Sequence, residues 1–239
     1  MNSIFMNYNH LKIILKKNIL IIGPTSEIAK NYISEISNKF NVFSISRKKF
    51  SNVKIINNLI LDQTKDLDKK KLMKLFGNIK FLYVIFFASN QLNAPNSIEK
   101  IKNTRILNVL SVNSIFPIKL TYFLIKKNVV NINAKFIYFS SRSGSITERG
   151  TLKHHKPLGN HVYKASKSLL NSFVKNISFE FKKSNYIFVC YHPGWVATKS
   201  AKGKMSVKKS VFYFNEFFNN LKKKDTGNFF NFDRKKILW

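Results

Sequence analysis

Apolar runs alternate with segments of helical periodicity along the whole of this 239-residue chain, and that alternation restricts its fold more than any other feature. The strand-like runs are NILIIG (18–23), NVFSIS (41–46), IINNLILD (55–62), FLYVIFFAS (81–89), AKFIYFSS (134–141), NYIFVCYH (185–192) and NFFNF (228–232). Strands that are apolar on both faces suit a buried parallel sheet. Helical patterns lie between them, near 26–39, 66–76, 99–127, 161–183 and 206–222. The order implies right-handed β-α-β crossovers and a single doubly wound α/β domain over 18–239, with a mainly parallel sheet of about seven strands flanked by helices. Only Arg47 to Lys54 separate the second and third runs. That is too short for a covering helix and predicts a thinly protected patch of sheet.

Composition bears on partners. The chain carries 42 Lys+Arg against 11 Asp+Glu, a formal charge of +31. Such a charge raises the question of nucleic acid or an anionic membrane. Arg, the residue of bidentate base and phosphate recognition, is scarce, the lysines are dispersed, and Asn, Ile and Phe are abundant, as an AT-rich coding sequence would produce. The expectation is therefore no specific nucleic-acid partner, with weak, salt-sensitive polyanion binding as an incidental property. No apolar run reaches the roughly eighteen residues of a spanning helix, so no membrane partner is expected. Cys190, the only Cys, sits in an apolar run and reads as a buried thiol in a reducing, cytoplasmic setting. Residues 1–17 lack acids and contain Lys12, Lys16 and Lys17. They read as a short disordered or appended lead-in, with a targeting segment as the alternative.

The chemistry-bearing pattern is Ser141, in FSSRSG after the fifth run, followed by Tyr163 and Lys167 in HVYKASKSLLNSF. Residues i and i+4 share a helix face, so the Lys167 ammonium can sit near the Tyr163 phenol. A phenol titrates near 10, and a neighbouring cation favours the phenolate, bringing the group towards the range a proton donor needs. Tyr122 and Lys126 repeat the spacing, but inside a long apolar helix pattern with no Gly-rich strand end before it.

Ligands of open parallel sheets collect at the carboxyl ends of the strands. After the first strand, Gly23-Pro24-Thr25-Ser26-Glu27-Ile28-Ala29 opens a helix whose N-terminal amides can hold a pyrophosphate. Glu27 is discordant there, because a carboxylate repels phosphate; its other role is to complement the helix dipole with its side chain turned outward. Arg47, at the end of the second strand, suits a 2′-phosphate and favours NADP(H), with NAD(H) possible; the competing role is a solvated loop charge. Asp62 is placed to accept from an adenine amino group, or simply to start a turn. His154, His155 and His161 have no accompanying ligand set, so no metal is expected.

Taken together, these motifs resemble the short-chain dehydrogenase/reductase family from about residue 18 onward, and within it the C-factor-like carbonyl reductases. SSRSGSI, YHPGWVATKSA and the ending DTGNFFNFDRKKILW support the likeness. The resemblance implies a Rossmann-type fold and an NADP(H)-dependent oxidoreductase acting on a small carbonyl or alcohol substrate. It makes Tyr163 the general acid/base and Lys167 the group that lowers its pKa and holds the nicotinamide ribose. Ser141 would bond the substrate oxygen, Ser140 would be structural, and Asn113 would hold a water in the proton relay. Gly23, Thr25, Ser26, Ile28, Arg47, Asp62, Ala88, Pro193, Gly194, Val196 and Thr198 would contact the cofactor together with Tyr163 and Lys167. The family's Asn-Asn-Ala-Gly aligns here with Phe86-Phe87-Ala88-Ser89, which together with Glu27 implies a reshaped or weaker cofactor cleft. TERGTLKHHKPLGNH forms an enlarged loop that would overhang the substrate. A homodimer or homotetramer through 99–127 and 161–183 is expected. The alternative is a lapsed enzyme that keeps the fold as a dinucleotide-binding or regulatory protein.

Overall fold

The computed structural model describes residues 16–50, 52, 54–91, 98–151, 159–199 and 201–239. Seven strands form one sheet in the order β3-β2-β1-β4-β5-β6-β7. They are β1 (Lys17–Ile22), β2 (Phe40–Ser46), β3 (Asn57–Ile60), β4 (Phe81–Phe86), β5 (Val130–Phe139), β6 (Ile187–His192) and β7 (Asn228–Asn231). Every neighbouring pair is parallel, as the two-sided apolar runs predict. The helices are α1 (Glu27–Ile36), α2 (Lys69–Phe76), α3 (Asn103–Leu110), α4 (Phe116–Lys126), α5 (His161–Glu180) and α6 (Val207–Asn219), with a π-helical turn, Ser111–Ile115, joining α3 to α4. Successive strands are added outward from β1 to β3 on one side and from β4 to β7 on the other, so the carboxyl ends of β1 and β4 flank the switch point where ligands of such sheets lie.

Each face of the sheet has its own core. One buries Phe86, Leu120, Tyr138, Leu170 and Phe188 beneath α4 and α5. The other buries Tyr32, Phe87, Phe139, Tyr191 and Phe214 beneath α1 and α6. Phe214 centres the second, with ring centroids 4.8 Å from Tyr32 and 4.9 Å from Phe139, both edge-on. Alternation along β4 sends Phe86 and Phe87 into opposite cores, 1% and 5% exposed. Neither lines the cleft, which corrects the expectation that this pair reshapes it.

The β2–β3 connection holds no helix among the described residues, and Ile56 and Ile60 stay 51% and 47% exposed beside it, as the short spacing predicts. The lead-in up to residue 15 lies outside the described residues. Lys16 already belongs to the domain, its ammonium donating to the Ser37 carbonyl at 3.2 Å. One expectation is overturned. The helical stretch Asn103–Lys126 is long and apolar enough to cross a membrane by length and composition. Half of its apolar window is buried in the domain, where Val109, Val112, Leu120 and Leu124 pack inward.

Phe214→Ala should cost about 3–5 kcal/mol of unfolding free energy, the usual range for a buried ring left as a cavity. Ile132→Ala, at a side chain 77% exposed, should stay within about 0.5 kcal/mol. Urea unfolding of the two variants checks both values.

Candidate active site

β5 runs out at Phe139, and the chain then makes a tight turn over Arg142–Gly144 that lies against α5. Only glycine fits at 144: a Cβ there would stand 2.7 Å from Lys167 Cβ and 2.8 Å from its carbonyl carbon. The Gly144 carbonyl accepts from Ser168 Oγ at 2.9 Å and from Asn171 Nδ2 at 3.2 Å, while Ser140 Oγ bonds Asn171 Oδ1 at 2.6 Å. These contacts fix the register of Ser141 against α5. They also give Ser140 the structural role the sequence predicts.

Lys167 is 1% exposed, and its ammonium donates to the Phe139 carbonyl at 2.7 Å. Burial disfavours the charged form and lowers its pKa to about 8, with the Cys190 thiol opposing slightly. The partly exposed Tyr163 ring has this ammonium 5.8 Å from its centroid. Gln91, Ser141 and Ser89 are the polar side chains near enough to the Tyr163 hydroxyl to pull its pKa down. Burial pushes the phenol pKa up, and those polar neighbours only oppose it. The structure thus departs from the expected pairing: i, i+4 spacing does place the cation on the same helix face, but its hydrogen bond goes to a β5 carbonyl and not to the phenol.

Asn113 lies in the π-helical turn, the kind of single-turn irregularity that re-aims a side chain at functional sites. Its Oδ1 accepts from Asn90 N at 2.7 Å, and its Nδ2 donates to Asn90 O at 3.0 Å and Ser166 Oγ at 2.9 Å. Asn113 therefore clips the segment after β4, which carries Ser89 and Gln91, to the helix that carries Tyr163. Ser89, Gln91 and Ser166 escaped the sequence reading. The position of Ser89 and Gln91 just past a strand's carboxyl end was the available signal.

The β1–α1 turn is packed tightly against the end of β4. Gly23 adopts φ +82°, and a Cβ on it would stand 2.6 Å from Ala88 N, so the turn rests directly on the end of β4. Ser26 caps α1, its Oγ accepting from Ala29 N at 3.1 Å, while Thr25 is exposed and Ile28 packs partly against the α1 and α6 core. Arg47 is exposed beyond β2 and lies near enough to Asp62 to help hold its carboxyl below the usual range. Thr64 lowers it more, donating to Asp62 Oδ1 from its amide at 3.0 Å and its hydroxyl at 2.7 Å. Asp62 does start a turn, therefore, and sits on the same rim as Arg47.

No protein-family model matches the chain. An oxidoreductase of Schizosaccharomyces pombe, itself uncharacterized, is 27% identical across 91% of this chain and 96% of its own length. NADPH-bound carbonyl reductase from chicken fatty liver superposes with a TM-score of 0.76 at 20% identity, covering 94% of this chain and 99% of that one. A short-chain dehydrogenase family protein from Francisella tularensis gives 0.73 at 17% identity, covering 90% and 96%. The fold is that of the short-chain dehydrogenase/reductases.

In this short-chain dehydrogenase/reductase fold the segment after β6 closes the other side of the crevice. Gly194 takes φ +88° against Met205, the Pro193 carbonyl accepts from Ser210 Oγ at 2.9 Å, Val196 bridges to Met205, and Thr198 bridges to Ala201. A cavity of about 460 Å³ lies at the β3 end, lined by Gln63, Thr64, Ser111 and Lys119. Another, of about 630 Å³, is lined by Arg142, His192, Trp195, Met205, Lys209 and Phe232. His161 is exposed at the start of α5, and His154 and His155 lie outside the described residues.

Glu27 resolves its discord here. Its Oε1 accepts from Lys199 N at 2.6 Å, so the carboxylate ties the β6 segment to α1. Glu27→Ala should make amides of 195–205 exchange about tenfold faster, the value of one lost charge-assisted hydrogen bond, with exchange in β1 unchanged. Hydrogen exchange with mass-spectrometric readout measures it.

Proposed function

We propose that this protein is an NADP(H)-dependent oxidoreductase that moves a hydride between nicotinamide and a carbonyl or alcohol carbon, with Tyr163 as the general acid in reduction and the base in oxidation. The observation that carries this reading is the convergence of the Ser141 and Tyr163 hydroxyls beside the buried Lys167 ammonium. The cofactor, when bound, supplies the hydride; orientation and the proton come from the chain. The exposed Thr25, the turn at Gly23 and the α1 N-terminus would hold its pyrophosphate, and Lys167 its ribose. Arg47 at the β2 rim favours the 2′-phosphate of NADP(H), and the NADPH bound by the chicken carbonyl reductase supports the same preference.

Burial keeps the Tyr163 phenol protonated at neutral pH, as a proton donor requires. Ser141 Oγ bonds the substrate oxygen and holds it at the phenol. After Tyr163 O–H passes its proton to that oxygen, the nearby ammonium of Lys167 stabilises the phenolate. Asn113 serves by fixing Asn90 and hence the neighbours of the phenol; the relay water assigned to it by resemblance belongs to this same proposal. Leu107 and Phe179, 58% and 70% exposed on α3 and α5, support self-association through these helices.

Tyr163→Phe should reduce turnover of an aryl aldehyde by at least about 10²-fold, the lower range for a lost general acid. NADPH binding should remain within twofold by calorimetric titration, and should exceed NADH binding until Arg47→Asp reverses the order. Retained turnover in Tyr163→Phe would discard the assignment, and absence of binding by either nucleotide would favour a lapsed enzyme.

The pH dependence follows from Lys167. Its ammonium persists below about pH 8 and is lost above it, so kcat/KM for reduction should be level below that pH and fall beyond it. The folded pKa lies below the ordinary 10.5, so between these values the unfolded chain binds more protons, and this group's contribution to stability rises with pH. Activity and stability should therefore move in opposite directions between about pH 8 and 10, measured by rate profiles and by urea midpoints in the same buffers.

A further inference from the structure

The loop that follows Ser141 is gripped from two sides. α5 holds it at Gly144, as described above. The other grip comes from the last residues of the chain. Ser145 Oγ donates to Leu238 O at 2.6 Å, and Thr147 donates to Trp239 O from its amide at 3.0 Å and its hydroxyl at 2.7 Å. Glu148 links both parts: Oε1 accepts from Leu238 N at 3.4 Å, and Oε2 accepts from Arg142 Nε at 2.5 Å.

The tail is itself anchored. Ile237 is 4% exposed, and its amide donates to Phe229 O at 2.8 Å, continuing from β7. The Trp239 ring stacks on Phe229 at 5.8 Å and 28°, with Lys175 Nζ of α5 5.7 Å from its centroid. A rigid route thus runs from β7 and α5 through Trp239 and Leu238 to Glu148 and Arg142, the residue next to Ser141 and part of the lining of the 630 Å³ cavity.

We propose that Leu238 and Trp239, together with Glu148, form a strap that positions Ser141 and Arg142 for turnover. Glu148 and Trp239 are positioning residues: they act through the loop and touch neither substrate nor cofactor. The proposal rests on reading Ser141 and Tyr163 as the reacting hydroxyls. Its energetic basis is orientation, since a displacement of about 1 Å at a reacting group can cost roughly 10²-fold in rate. The dinucleotide turn at β1 and α1 lies outside the strapped loop, so cofactor affinity is insulated from it.

The test uses the whole 239-residue chain, with Trp239→Ala, Trp239→Phe and Glu148→Gln compared by hydrogen exchange, NADPH titration and steady-state reduction of 4-nitrobenzaldehyde. Trp239→Ala should speed exchange in 141–149 about tenfold and leave β6 unchanged; kcat should fall about tenfold, with aldehyde KM and NADPH affinity within twofold. Trp239→Phe keeps a ring to stack and should restore most of both effects. Glu148→Gln retains the shape and guards against a Trp239 variant that fails to fold; it should give an intermediate kcat loss. Unchanged exchange in 141–149 would overturn the strap, and faster exchange with unchanged kcat would overturn its positioning role. If the native chain binds no nucleotide and reduces no aldehyde, the oxidoreductase reading falls, and the exchange arm alone decides: a local rise upholds the strap, and no rise removes it.

Discussion

A cation buried without a carboxylate partner is the constraint around which the site is built. Removing an ammonium from water costs several kcal/mol unless its donors are satisfied, and here the Phe139 carbonyl at the end of β5 meets that need. That single contact dictates its surroundings. The strand must end where its last carbonyl faces α5, and the next turn must approach so closely that only Gly144 fits against Lys167. The helix above must carry Ser168 and Asn171 at the right places to satisfy the buried carbonyl of Gly144. The lowered pKa of Lys167 reflects that cost.

Scarcity makes the acids informative. With 42 basic side chains against 11 acidic ones, repulsion is the background, and a carboxylate lowers it most where it also joins elements. Among the described residues, nine of the 11 acids accept a hydrogen bond or ion pair at the carboxylate. Several do so across long stretches of chain: Glu27 reaches Lys199, Glu35 reaches Asn215, Asp66 reaches Lys119 and Glu180 reaches Tyr122. Others stay local, such as Asp68 capping α2 through Lys71 N. The positive charge therefore leaves the fold intact because the few acids sit at joints, while hydrophobic burial in two aromatic-rich cores supplies the bulk of the cohesion.

Local periodicity explains why the strands, the helices and the Ser141, Tyr163 and Lys167 order were legible in the sequence. Two-sided apolar runs suit strands of a parallel sheet, although β3 and β7 end at its edges, and the spacing of Tyr163 and Lys167 places them on one helical face. What the sequence did not disclose are partners set by tertiary approach. The carbonyl that takes Lys167 lies 28 positions away, and the amide that takes Glu27 lies 172 away. No periodicity encodes either. The π-helical turn at Asn113 was equally silent, because nothing in SVNSI sets it apart from ordinary helix and the partners of Asn113, Asn90 and Ser166, are distant in sequence. Nor did anything local reveal that Ser145, Thr147 and Glu148 would meet the end of the chain.

Phe86-Phe87 shows how a departure from a family pattern can be harmless at the site and useful elsewhere. Read as a string, two rings where polar residues are expected suggest a damaged cleft. Strand geometry forbids that reading, because consecutive side chains point to opposite faces. Phe86 stacks on Tyr138 at 4.7 Å in one core, and Phe87 meets Phe139 at 4.2 Å in the other. What remains at the cleft is backbone: the amides of Phe87 and Ala88 both donate to Ile22 O, at 2.9 and 3.0 Å, and lock the end of β4 to β1 beneath Gly23. The polar support that side chains would give is thus supplied by main-chain bonds and by Asn113 holding Asn90, one residue beyond Ser89. A cleft supported this way owes its shape to register between strands, and the same register brings Ser141, Tyr163 and Lys167, the groups of the proposed chemistry, together.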